Sequence, residues 1–346
     1  MDDMTPPTPQ PVVEHAPGAR RVKRRLMGTL IGLYAASLLA ACVIVIRGQY
    51  APPSKKKGET GKGFLASMGE QDTVGWVPIH GVITESESGK PWEKGSEQWA
   101  RKIKQMAETK GVKAIVLDIN SPGGSVGAIQ ELYMQIQRVR KEKHIPVVAL
   151  FDDVAASGGY YIASACDRIV AHPGTLTGSI GVIFNVNNLQ GLFGKIGYKV
   201  DPIKSGKHKD IGSPAREMTP EERKLLQNLI MDAYGQFVAA VAQGRQLPES
   251  RVRELADGSI YSGNQALTDK LVDKLGDSTD AIELAGQLGG IQGRPKVRRE
   301  AQSFSDLFDM LDSRFDGMIT GQAPTLADRL LPQSHSALEY RWEGWR

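Results

Sequence analysis

The sequence predicts an α/β fold: layers of parallel strands with flanking helices, preceded by one N-terminal transmembrane helix. Three observations carry this reading. Residues 26–46, from Leu26 to Ile46, contain no charged side chain. Residues 112–119 include a continuous apolar run from Ala114 to Leu117, the pattern of a strand covered on both faces. An apolar run followed by a glycine turn and a helix start occurs twice, at 112–125 and at 145–161. The composition agrees: of 346 residues 40% are hydrophobic and 24% charged, with 38 glycines, as in an ordinary globular chain.

The first 25 residues open with a proline-rich polar stretch that buries too little apolar surface to fold alone. Arg20, Arg21, Lys23, Arg24 and Arg25 follow and make a cytoplasmic basic tail. As a helix, 26–46 would be ~31 Å long, enough to cross the hydrocarbon core. The positive-inside rule then places the N-terminus in the cytoplasm and the bulk of the chain outside a cytoplasmic (inner) membrane, although Arg47, Lys55, Lys56 and Lys57 weaken the asymmetry. Leu39-Ala40-Ala41-Cys42 resembles a lipoprotein signal, but the apolar run continues through Ile46, so an uncleaved anchor is expected. Residues 47–72, with Pro52, Pro53 and a lysine run, read as a flexible linker, and the folded domain starts near Thr73.

Within that domain, 74–83 has strand spacing interrupted by Pro78 and Gly81, so a bent or bulged strand is expected. A helix over 99–110, the strand 112–119, a helix from Ser125 to about Lys143 and a strand over 146–151 follow. The net charge of +4 sits largely in short segments at the two ends, so no nucleic-acid partner is expected. Cys42 and Cys166 imply neither a disulfide framework nor a metal site.

The second glycine turn, Ala155-Ala156-Ser157-Gly158-Gly159, is suited to a nucleophile. A strand running straight into a helix would put Ser157 at a sharp turn, with the N–H of Gly158 free to meet a developing oxyanion. Serine beside glycine also starts many helices with no chemistry attached. The first turn, Ser121-Pro122-Gly123-Gly124, lies at the end of a neighbouring parallel strand, where ligands of such sheets bind. Together the turns offer Gly124 and Gly158 as a pair of N–H donors. Neither has P-loop or Gly-x-Gly-x-x-Gly spacing, which argues against a nucleotide site.

A serine hydroxyl needs a base. Beyond the anchor the histidines are His80, His144, His172, His208 and His335; only His172 and His208 follow Ser157 within the domain, and neither has an evident carboxylate partner. A lysine held neutral can serve instead. Lys199, Lys204, Lys207 and Lys209 cluster between Tyr198 and Arg216, and composition alone does not choose among them.

The motifs Asn120-Ser121-Pro122-Gly123-Gly124, Ala155 to Tyr161, Thr177-Gly178-Ser179-Ile180-Gly181-Val182, Ser205-Gly206-Lys207-His208-Lys209-Asp210 and Leu271 to Gly276 resemble, in that order, the signal peptide peptidase A family. The resemblance spans about residues 73–290. It implies a Clp/crotonase-like fold and a membrane-anchored serine peptidase that degrades remnant signal peptides and other apolar peptides. Ser157 would be the nucleophile, Lys209 the base, Gly124 and Gly158 the oxyanion hole, and Ser179 the residue orienting the lysine. It further implies a small apolar specificity crevice, no metal or other cofactor, and a homo-oligomeric ring in which serine and lysine meet between neighbours. Lys270 stands where the family usually has glycine, a departure confined to a turn.

Beyond the motifs, 219–244 reads as a long helix and 281–288 as another. Residues 291–346 read as a tail, with an amphipathic helix over 303–319 and a final extended stretch. Two rival readings use the same fold, an acyl-CoA enzyme and a catalytically silent scaffold; neither accounts for Ser157 together with Lys209. The related membrane peptidase that works with stomatin-like partners is a third, within the same chemistry.

Overall fold

The structure, a computed structural model, describes residues 72–85, 95–299, 338–342 and 344. The chain divides into two compact units, Met1–Met68 and Gly69–Arg346, and the described residues belong to the second. The expected membrane helix over 26–46, Cys42, the linker up to residue 71 and the expected helix over 303–319 lie outside the described residues. Among the described residues no helix is long and apolar enough to cross a membrane.

The first strand, β1 (Thr73–His80), is followed by helix α1 (Ser96–Glu108) and strand β2 (Val112–Ser121). The short β3 (Gly123–Ser125) leads into α2 (Val126–Lys143), and β4 (Val147–Ala156) into α3 (Gly158–Ala163). Next come β5 (Arg168–Ala171), β6 (Leu176–Gly178), α4 (Gln190–Lys195), α5 (Pro220–Arg245), α6 (Glu249–Leu255), β7 (Ile260–Ser262) and α7 (Gly263–Thr268). The remaining elements are β8 (Lys274–Leu275), α8 (Ser278–Leu288), β9 (Lys296–Arg299) and β10 (Glu339–Arg341).

Eight strands form one sheet in the order β7-β6-β4-β2-β1-β9, with β5 and β8 branching from β4. Its pairings are parallel except β6 with β7. Alternation along β2 explains why its run is apolar throughout. Ile115, Leu117 and Ile119 face a large core shared with α1, α2 and α5, whereas Ala114 and Val116 face a smaller one closed by Ala281 and Ala285 of α8. Pro78 is accommodated inside β1 because β9 pairs only with Thr73 to Trp76, so the proline lies past the end of that neighbour.

Helix α5 is fixed at its start by a capping box in which Thr219 and Glu222 satisfy each other's backbone N–H groups, with Pro220 in the first turn. The stretch after 290, where the composition changes, supplies two further strands. β9 adds a parallel edge to β1, and β10 pairs antiparallel with β3.

Candidate functional site

Strand β4 delivers Ser157 to the carboxyl edge of the sheet, and α3 begins at the next residue. The turn between them is tight: Ser157 has φ 52° and ψ −115°, a conformation that a non-glycine residue rarely adopts. It is held there by its own N–H, which donates to the Gly178 carbonyl at 2.8 Å, and by its carbonyl, which accepts from the Tyr161 N–H at 2.9 Å. Such strain at a strand-to-helix turn aims the hydroxyl away from the sheet, toward the carboxyl end where a ligand would lie.

The first glycine turn meets it there. Gly123 has φ +98°, and a methyl placed on it would fall 2.6 Å from the Gly158 nitrogen, so only glycine lets the two turns approach this closely. The Gly123 N–H donates to the Ser121 hydroxyl at 3.1 Å. Ile83 donates its N–H to the Gly123 carbonyl and accepts from the Ser125 N–H. In an extended strand this leaves the N–H of Gly124 on the opposite edge. Gly124 and Gly158 are both buried beside Ser157, as a pair of oxyanion donors requires.

Ser179 follows β6, also at positive φ (49°), with its N–H donated to the Ser259 carbonyl at 2.7 Å. Ser157 and Ser179 share a cavity of about 590 Å³ whose walls include Ile183, Met231, Tyr234 and Asp257. Among the described residues no lysine or histidine lines it. Lys209 sits apart, exposed on the segment between α4 and α5. Of the clustered lysines, Lys204 pairs with Asp210 at 2.7 Å and Lys207 with Glu221, whereas Lys209 makes no ion pair among the described residues. Its neighbour Asp210 is gripped by the Arg216 guanidinium, which also reaches Glu222 at the start of α5. Hydrogen bonds from Arg216 and Lys204 hold the Asp210 carboxyl well below the usual carboxylate range. Arg216, with the backbone N–H of Thr219, brings Glu222 down to about 2. His208 lies 3.5 Å from Glu221 on this same segment, and His172 is half-buried beyond β5.

One wall of the cavity is supplied by strand β10. Strand β10 lies along β3 with Tyr340 opposite Gly124, Glu339 bridges to Ile183 on its other side, and Arg341 and Trp342 complete the cavity wall. Ser157 is 1% exposed. The Tyr340 ring is fully buried, stacked on Tyr161 at 5.1 Å and against Phe237 at 5.0 Å, with its hydroxyl donating to the Ala233 carbonyl at 2.8 Å. Nothing in the sequence marked Tyr340 as a site residue, because a three-residue strand carries no periodicity to read.

A group of metal-ligand type, His80, Asp118 and Asp152, lies elsewhere among the described residues, with one ligand atom from each within 4.8 Å of the others. Asp118 is on the face of β2 that also carries Ala114 and Val116. Burial pushes its carboxyl up, and His80 hydrogen-bonds it at 3.1 Å.

Residues 139–292 match the family model described as peptidase family S49. The chain is 44% identical over 230 residues to a Synechocystis protein carrying a provisional protease name, covering 63% of this chain and 82% of that protein. It is 34% identical over 274 residues to the chloroplastic serine protease SPPA of Arabidopsis thaliana, and 31% over 267 residues to protease 4 of Salmonella typhi. Those matches take in 76% and 75% of this chain but only 40% and 42% of the two relatives.

Proposed function

Because the chain belongs to peptidase family S49, we propose that it is a membrane-anchored serine endopeptidase that clears remnant signal peptides and other apolar peptides, with Ser157 as nucleophile and Lys209 as base. The observation that carries the reading is the strained Ser157 turn, met by the Gly123-Gly124 turn at the edge of a cavity. Lys209 takes the Ser157 proton as the hydroxyl attacks the scissile carbonyl. Gly124 and Gly158 stabilise the oxyanion, Ser179 orients the lysine amine, and water then releases the acyl group. The anchor at 26–46 would keep the cytoplasmic tail inside and hold the peptidase domain near the outer face of the cytoplasmic membrane, where released signal peptides lie.

The exposed position of Lys209 supports the further reading that serine and lysine meet between neighbours in a ring. The segment carrying it presents Val186, Leu192, Ile196, Tyr198, Val200 and Ile203 to solvent, an apolar surface suited to a second copy. Mixing tests both statements at once. Ser157→Ala and Lys209→Ala chains should each lose turnover of an apolar reporter peptide, by about 10²–10⁴ for the base. After mixing and reassembly part of the activity should return. A monomer with full activity would remove the ring, and an active Lys209→Ala chain would move the base to Lys207 or His208.

A further inference from the structure

Three neighbouring strands carry residues of metal-ligand type toward their carboxyl ends. On the face of the sheet covered by α8, β1 presents Val74 and Trp76, β2 presents Ala114 and Val116, and β4 presents Val148 and Leu150, all buried in the smaller core. Alternation places His80, Asp118 and Asp152 on that same face, past the end of the core. The apolar pattern of three parallel strands thus gives way, side by side, to one imidazole and two carboxylates.

The three come close enough to share an ion. One ligand atom from each lies within 4.8 Å of the others, and His80 Nε2 is 3.1 Å from Asp118 Oδ2 with a proton between them. Ligand atoms around a tetrahedral Zn²⁺ stand about 3.3 Å apart, given bonds of ~2.0–2.1 Å, so small side-chain rotations close the set. Asp118 and Asp152 are half-buried like charges, and among the described residues neither forms an ion pair with a lysine or arginine. Two carboxylates held together in this way call for a positive charge. The His80 side chain is 48% exposed, which leaves the ion a route from solvent. Asn120 braces the far side: its Nδ2 donates to Asp152 Oδ2 at 3.4 Å, and its Oδ1 accepts from the Val154 N–H at 3.3 Å. Partners of this kind orient metal-bound carboxylates. An imidazole nitrogen beside two carboxylate oxygens suits Zn²⁺, whereas Mg²⁺ and Ca²⁺ take oxygen ligands.

We infer that His80, Asp118 and Asp152 bind one Zn²⁺ ion per chain, with water completing its coordination, and that the ion fastens together the strands that shape the serine site. Each strand runs on into a piece of that site. β1 leads to Ile83, which is hydrogen-bonded to Gly123 and Ser125, β2 leads to the Gly123-Gly124 turn, and β4 leads to Ser157. Binding releases the proton between His80 and Asp118 to solvent, because the ligands are the neutral imidazole and the ionised carboxylate. The ion takes no part in cleaving a peptide bond, and its binding does not depend on Ser157 being a nucleophile.

The test is calorimetric titration of zinc chloride into the full chain in detergent, stripped beforehand with a chelator, beside His80→Ala, Asp118→Asn, Asp152→Asn and Ser157→Ala. Thermal melts and amide hydrogen exchange are read on the same samples. The parent and Ser157→Ala should each bind one Zn²⁺ at this site and melt higher as zinc rises, and magnesium chloride should do neither. Each ligand variant should lose more affinity than the roughly 10–100-fold that follows loss of an outer partner, and its melting temperature should stop responding to zinc. Asp118→Asn keeps the shape of the side chain, so its melt without zinc shows that the fold survives. Zinc should also slow exchange at Gly81 and Ile83, whose N–H groups donate to the Asn120 and Gly123 carbonyls. Folded parent protein with no saturable zinc uptake, or uptake that all three ligand variants retain, overturns the site. Zinc bound through these residues with exchange unchanged at Gly81 and Ile83 overturns the fastening role.

Discussion

Replacing Gly158 by alanine tests how closely the helix behind the nucleophile is packed against the oxyanion turn. The added methyl would lie 2.0 Å from Cδ1 and 2.9 Å from Cγ1 of Ile129, a fully buried residue of α2 with little room to move. Overpacking of this kind costs about 1–3 kcal/mol. At roughly 2–4 °C per kcal/mol for a domain of this size, the melting temperature should fall by about 2–12 °C. Ile129→Val removes Cδ1, the closest obstacle, at a cost of about 0.5–1.5 kcal/mol on its own. Because the two changes relieve each other, the double variant should lose less than the summed singles by about 0.5 kcal/mol or more. Under the proposed mechanism Gly158→Ala also displaces a donor, lowering kcat by up to about 10²–10³, and the double variant should recover part of it. Thermal or urea melts of the four proteins, with kcat on the same samples, decide the matter. Strictly additive losses would show that Ile129 does not press on the Gly158 turn, and the account of this contact would be wrong.

Three other outcomes follow from the structure. Tyr160 is fully buried and donates its hydroxyl to the Leu271 carbonyl at 2.7 Å, so Tyr160→Phe should cost about 1–3 kcal/mol in urea melts by leaving that carbonyl unpaired. Burial pushes the Tyr160 phenol up and that of Tyr161 up to about 12. An unfolded phenol ionises near ~10, so the unfolded chain loses protons first and stability falls as pH rises from there through about 12; a melting temperature flat across that window would contradict this. At the acid end the Asp210–Arg216–Glu222 clamp has the opposite sign. Its carboxylates are depressed, so its contribution is present above their usual range and is lost as pH falls toward about 2. Limited proteolysis between Tyr198 and Arg216 should therefore stay slow at pH 5 and accelerate only in stronger acid, while Arg216→Ala should speed it already at neutral pH.

What the sequence disclosed tracks how local each signal is. The run at Ala114 to Leu117 is apolar at every position because β2 has a core on each side, and its buried-strand reading needed no partner information. Strand β4 was legible only as far as Phe151. Its last turn passes through Asp152 and Asp153, which look like a loop but continue the strand to Ala156. The start of α5 was legible from Pro220 and Glu221 in its first turn, signals carried by neighbours in the chain, and the structure adds the capping box of Thr219 and Glu222 there. Ser157 was legible for the same reason, since the strain of its turn is written in the glycines and alanines around it. Composition did not separate Lys209 from Lys199, Lys204 and Lys207, and only the family resemblance singled it out; which of these lysines are engaged, as Lys204 is by Asp210 and Lys207 by Glu221, depends on contacts that spacing does not show. Strands β9 and β10 were invisible: Lys-Val-Arg-Arg has no strand-like alternation, and β10 is defined only by the distant edges it joins. Long-range pairing of short segments is where reading by period and propensity ends.

The central claim is that Ser157 is an activated nucleophile. Intact-mass measurement after treatment with a serine-directed acylating inhibitor tests it most directly, on the assembled protein and beside Ser157→Ala and Lys209→Ala. The account predicts one adduct per chain, mapped to Ser157, absent from the first variant and much slower in the second. Folded, assembled protein that takes up no adduct, or takes it up on a different serine, would contradict it.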